Sequence, residues 1–171
     1  MPLTVDQFRA LAAAMPARNC AMVLAQAGLG LRVGELLALR LVDVDFLRRT
    51  VRVEWQIPPR KRERAEPKTP GSRRTVPLPQ VVAEALAEHV RAFPARTGGT
   101  LFPGHDGRYW TILTRAVTRA VDEQGGPLVP PGTTSHDLRH HYASVLLAAG
   151  ESVVAVAERL GRENATLVLS T

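Results

Sequence analysis

The stretch Thr133-Thr134-Ser135-His136-Asp137-Leu138-Arg139, running on through His140-His141-Tyr142-Ala143-Ser144, decides how the rest of the chain is read. Thr134 and Asp137 have the spacing of a helix-opening capping pair, with aspartate where glutamate is more usual; Ser135 is the alternative cap. Either choice puts His136 and Arg139 at the start of a helix running from about 136 to about 149, with Gly150 ending it. Three residues apart, the two side chains share one face of that helix, at the end where unpaired backbone N–H groups and the macrodipole attract anions. That is the composition of a phosphate site. An isolated His-x-x-Arg is also what an ordinary capped helix with two solvated side chains looks like, so the surrounding sequence has to choose.

Toward the N-terminus, Gly28-Leu29-Gly30-Leu31-Arg32-Val33-Gly34-Glu35-Leu36-Leu37 places an arginine just after a tight glycine turn. Glu35, three residues on, is close enough to orient its guanidinium. Apolar periodicity from Thr4 to Leu39 predicts three helices, about 4–14, 17–27 and 32–39, broken at Pro16 and at Gly28–Gly30. The β-branched segments Thr50–Gln56 and Arg73–Leu78 predict a small antiparallel hairpin around a charged, proline-containing loop, Pro58–Ser72. Lys68 sits in that loop near its neck.

Between the hairpin and the histidine segment, Gln80–Phe93 returns to a helical period and reads as a surface helix. Gly98–Gly107 is turn-rich, Thr111–Glu123 is a further helix, and Gly125–Gly132 is a connector within one domain. A last helix is expected over Ser152–Leu160, before Gly161. The expected fold is a mainly helical α+β domain with a small antiparallel sheet, without internal repeats.

The chain has 171 residues and 45% hydrophobic content, enough for one domain with a real core. Twenty-two Lys and Arg against 16 Asp and Glu give a net charge of +6, which favours a polyanionic partner such as nucleic acid. Twenty of those cations are arginine and two are lysine, Lys61 and Lys68, so the basic surface is built from planar forks that match phosphate oxygens. The single Cys20 cannot form an internal disulfide, no apolar run suits a membrane helix and no basic-then-apolar leader opens the chain, which together point to a soluble cytoplasmic protein.

In this order, Gly-Leu-Arg-x-x-Glu-Leu at 30–36, Lys-Thr-x-x-Ser-Arg-Arg-Thr-Val-Pro-Leu at 68–78 and His-Asp-Leu-Arg-His-x-Tyr-Ala-Ser at 136–144 resemble the tyrosine recombinase, or phage integrase, family. The likeness extends from about Thr4 to Thr171. It implies that Arg32 and Arg139 clamp the non-bridging oxygens of a scissile phosphate in double-stranded DNA. Lys68 would protonate the leaving 5′ oxygen, and His136 would assist proton transfer at the nucleophile. Fixed guanidinium donors can stabilise the charge that builds on a phosphoryl group without a metal or other cofactor. Glu35 and His140 are implied as supporting residues, and Tyr142 as a core or support residue.

Two departures follow from the same resemblance. Where family members commonly carry His or Trp after Leu-Gly, this chain reads Leu160-Gly161-Arg162, so Arg162 is expected to donate to the phosphate with a longer, permanently charged side chain. The nucleophilic tyrosine of the family would fall just beyond Thr171. The expectation is therefore a catalytic domain over residues 1–171, cut before its nucleophile and lacking the family's N-terminal core-binding domain. Such a chain would grip DNA phosphate without cleaving it. Full-length relatives of this kind are expected to act as homotetramers on DNA.

Other readings stay open on the residues. Val153–Val168 has the look of a helix-turn-helix unit, compatible with a basic DNA-binding regulator, though that leaves Arg32, Glu35, Lys68 and His136-x-x-Arg139 unexplained. A recombinase remnant that binds DNA without cutting is a second alternative. His136 and His140, four apart, could share a metal, but no His-Glu-x-x-His pattern or obvious third ligand accompanies them.

Overall fold

Seven helices and a small sheet make up the described part of the computed structural model, residues 3–95, 99–102 and 104–161. The chain opens with α1 (Val5–Ala14), where Thr4 and Gln7 satisfy each other's backbone N–H groups at 3.2 and 2.9 Å. α2 (Ala17–Leu29) is the central helix, packed against later helices on two sides, with Val23, Ala25 and Leu29 fully buried. It ends on Gly30 at φ +64°, a left-handed turn that places Arg32 directly before α3 (Val33–Ala38). A side chain at Gly30 would also strike the Tyr142 ring, since a Cβ there lies 2.4 Å from the ring carbon Cδ1.

The sheet has three antiparallel strands in the order β1-β2-β3, where the sequence predicts a two-stranded hairpin. The additional strand, β1 (Val44–Asp45), is two residues long and pairs Val44 with Val51 and Asp45 with Thr50. β2 is Thr50–Val53 and β3 is Arg74–Pro77, registered Val51 to Val76 and Arg52 to Thr75. β2 stops three residues before the predicted Gln56 because the chain turns away: Gln56 pairs with Ala65 instead, and the Ile57 N–H donates to the Gly34 carbonyl at 2.8 Å. A Cβ on Gly34 would lie 2.6 Å from the Ile57 carbonyl oxygen, so only glycine lets this loop lie against α3.

Beyond the sheet come α4 (Gln80–Ala92) and α5 (Asp106–Arg119). α5 starts five residues before the predicted Thr111 and ends four before the predicted Glu123. Its first turn lies in what reads locally as a turn-rich passage, and His105 caps it by accepting from the Arg108 N–H at 3.3 Å. α6 (Ser135–Ala148) and α7 (Val153–Arg159) complete the fold. One core spans the molecule from Leu3 to Leu138; a smaller cluster of Tyr142, Ala143, Val156, Ala157 and Leu160 seats α7 on α6. The expected mainly helical α+β class is the observed one.

Candidate nucleic-acid interface

α6 opens as its sequence requires: the Asp137 carboxylate accepts from the Thr134 N–H and from its hydroxyl, each at 2.7 Å. Burial pushes the Asp137 carboxyl up, but the Thr134 hydrogen bonds and the nearby His140 outweigh it and leave the group below the usual carboxylate range. His136 is exposed on the first turn, and its ring meets His140 edge-on with centroids 4.3 Å apart. Arg139, on the same turn of the helix, reaches into the protein. It is 4% exposed, and its Nη1 and Nη2 donate to the Gly30 carbonyl at 2.6 Å and the Leu160 carbonyl at 2.5 Å.

Those two bonds join α6 to the α2–α3 turn and to the end of α7. Arg32 lies beside them: its Nη1 donates to Glu35 at 3.1 Å, its Nη2 to the Gly161 carbonyl at 3.2 Å, and its backbone N–H to Glu35 at 2.8 Å. Nearly half of the Arg32 side chain remains exposed, 44%, whereas Glu35 beneath it is at 5%. A cleft of about 290 Å³ opens over this group, walled by Arg32, Val33, Ser135, His136 and Arg139, with Gln26 and Leu31 at its base. Three of the predicted site residues therefore converge on one anion-sized space at the N-terminus of α6.

The organiser of that space is Glu35 with a partner the sequence reading leaves unassigned, Arg74. Arg74 Nη1 and Nη2 donate to the two carboxylate oxygens at 2.9 Å each, a bidentate pair with both side chains at 5–6% exposure. The same guanidinium donates through Nε to the Arg159 carbonyl at 2.5 Å and through Nη1 to the Ser72 carbonyl at 2.9 Å. Arg139 stands 4.0 Å from Glu35, so three arginines surround one carboxylate. Burial raises the Glu35 pKa; the hydrogen bond and charge of Arg74, then those of Arg32, outweigh it, and the group stays below the usual carboxylate range. Strand alternation carried the signal for Arg74, since Val76 and Leu78, two and four residues on, are both buried.

Lys68 is exposed in the β2–β3 loop, just before a short 3-10 turn at Pro70–Ser72, and is not among the walls of the cleft. Arg162 lies outside the described residues, as do residues 162–168 of the helix-turn-helix-like stretch. The two tyrosines are structural. Tyr109 is 2% exposed and its hydroxyl donates to Gln26 at 2.7 Å, with burial driving its pKa far up. Tyr142 is 6% exposed and packs on Gly30; burial raises its pKa too, against the lowering effect of Arg159. Among the described residues no helix is long and apolar enough to cross a membrane.

The Phage integrase family profile matches residues 2–170, and the chain belongs to that family. It is 29% identical over 170 residues to a Tyrosine recombinase XerC-like protein of Caldanaerobacter subterraneus subsp. tengcongensis, covering 86% of this chain and 43% of the relative. It is 35% identical over 153 residues to Tyrosine recombinase XerC of Methylobacterium sp. (strain 4-46), covering 85% of this chain and 42% of the relative. The chain thus spans half or less of the length of the curated relatives it matches. Among solved structures, the Tn1549 transposon integrase in complex with transposon right end DNA superimposes with a TM-score of 0.85 at 25% identity, over 99% of this chain and 60% of the other. XerA recombinase shares the fold at a TM-score of 0.77.

Proposed function

We propose that this chain supplies the phosphodiester-binding centre of a site-specific DNA recombinase. The observation that carries the reading is the convergence of Arg32, His136 and Arg139 on one cleft, with both arginines held on Glu35 and on backbone carbonyls. Arg32 and Arg139 grip the non-bridging oxygens of the scissile phosphate, Glu35 fixes the Arg32 fork, and His136, supported by His140, moves a proton at the nucleophile. Because the donors are already immobilised, little reorganisation is needed as charge develops on the phosphoryl oxygens.

Lys68 is the general acid for the leaving 5′ oxygen in this reading, brought over the cleft when DNA orders its exposed loop; Arg162 adds a further donor. A tyrosine attacks the phosphorus, a 3′-phosphotyrosyl bond replaces the 3′–5′ phosphodiester, and the 5′ oxygen leaves with a proton. Attack by another strand's 5′ hydroxyl reverses the step, so no net bond energy is consumed. Tyr109 and Tyr142 are buried and wall no part of the cleft, so neither is that nucleophile. The 171 residues alone bind duplex DNA weakly and with little sequence preference, in the cytoplasm, and a homotetramer on DNA is the working assembly.

Two measurements test this. Anisotropy of a labelled duplex should show binding that weakens steeply with salt and drops on Arg32→Ala. A form of the chain carrying a tyrosine-bearing extension after Thr171 should form a covalent adduct on a nicked suicide duplex, lost in Arg32→Ala and in Arg139→Lys with the fold checked by circular dichroism. An adduct surviving both changes defeats the assignment, and nanomolar sequence-specific binding by the 171 residues contradicts the expected weak grip.

A further inference from the structure

Trp110 is the only aromatic side chain of the eight in the sequence that is exposed, at 61%, and neither the core nor the phosphate cleft accounts for it. It projects from the second turn of α5 into the wall of a cleft of about 510 Å³. That cleft shares Arg32, Val33 and Ser135 with the phosphate cleft, so the two adjoin. A third hollow, about 340 Å³ and mostly apolar, continues from the other side of Trp110 along α5 to Thr134. The indole therefore stands between two hollows, the larger of which adjoins the phosphate clamp and is large enough for a base and its sugar.

The helix that carries it is basic: Arg108 and Arg115 are exposed on other faces of α5, two residues before and five after Trp110. Asp106, the acidic residue of this helix, lines the same cleft as Trp110 and accepts there from the Arg60 N–H at 3.2 Å. Trp110 shares one of its two hollows with Arg32 of the phosphate site.

We propose that Trp110 is a nucleotide-contacting residue: its indole packs against the base or sugar adjoining the phosphodiester held by Arg32 and Arg139, and sets the position of that nucleotide. The proposal rests on the DNA-binding reading above. Every base offers a π-face, so the contact tolerates many sequences and favours steps that unstack easily.

Only two tryptophans are present, and Trp55 is part of the β2–β3 loop with Arg64 stacked 4.9 Å over its ring. In a Trp55→Phe chain all indole emission comes from Trp110, and titration with a 20-bp duplex should quench it at the concentration where anisotropy reports binding. Trp110→Ala should weaken binding about tenfold, with Trp110→Tyr restoring most of it and circular dichroism unchanged in both. Binding that stays dependent on Arg32 while Trp110 emission is unmoved, or while Trp110→Ala binds as tightly as the parent, overturns this proposal alone. Absence of DNA binding in the parent chain overturns the phosphate-clamp reading, and this one with it.

Discussion

Arg139 and Lys68 are both cations assigned to one phosphate, and the protein holds them in opposite ways. Arg139 is 4% exposed, bonded to carbonyls of two separate segments, and stands 4.0 Å from a carboxylate that two other arginines also contact. Lys68 lies exposed in a loop between two strands. The contrast separates two kinds of work. A clamp gains from being rigid before substrate arrives, because its donors then need no reorganisation. A proton donor can arrive with substrate, and a flexible ammonium suits that task better than a fork locked in a buried network.

The largest effect that could break this comparison is at Glu35. Glu35→Ala strips the shared partner from Arg74 and Arg139, both nearly buried, and should cost about 3–5 kcal/mol in urea unfolding. A loss under 1 kcal/mol would mean that the arginines are held by the carbonyls alone. A pH series gives a subtler reading. Glu35 and Asp137 both ionise more readily in the folded chain than their ordinary values. Their contribution is therefore complete above the unfolded carboxylate range, about 4, and disappears as pH falls below it through the lower folded values. Unfolding free energy measured between pH 6 and pH 3 should decline on that side, with proton uptake on unfolding; a flat profile would contradict the depressed values. The smallest effect belongs to Lys68. Lys68→Ala should change stability by no more than about 0.5 kcal/mol, while the slope of log affinity for DNA against log salt falls by about 0.9. A large stability loss there would show that the loop is as tied down as the clamp.

The site was legible in unequal parts, for reasons that can be stated residue by residue. His136, Arg139 and their capping pair were readable because the cap that starts their helix, and the spacing that sets them on it, lie within six residues of chain. Arg32 and Glu35 were readable for the same reason, a glycine turn followed by a three-residue spacing. Arg74 was not assigned, because a second arginine in a basic loop is unremarkable until its strand is paired with β2 and its face is known. The phase was available in Val76 and Leu78, which lie on the same side. β1 was missed because two residues carry no periodicity; it exists through its pairing with Val51 and Thr50. The start of α5 was misplaced because Asp106 and Gly107 look like turn residues, and their helical state depends on the His105 cap and on the Asp106 contact with the Arg60 backbone.

By itself, the sequence determined the helices, the order of the motifs and the end of the helix at which an anion would sit, since capping, glycine turns and 3.6-residue spacing are local physics. The tertiary structure alone decided that one buried carboxylate would gather Arg32, Arg74 and Arg139, arginines up to 107 residues apart along the chain. It also decided that Tyr109 would be buried and its neighbour Trp110 exposed. Desolvation and ion pairing act between surfaces that meet only after the chain has closed on itself, and a linear pattern does not carry that information.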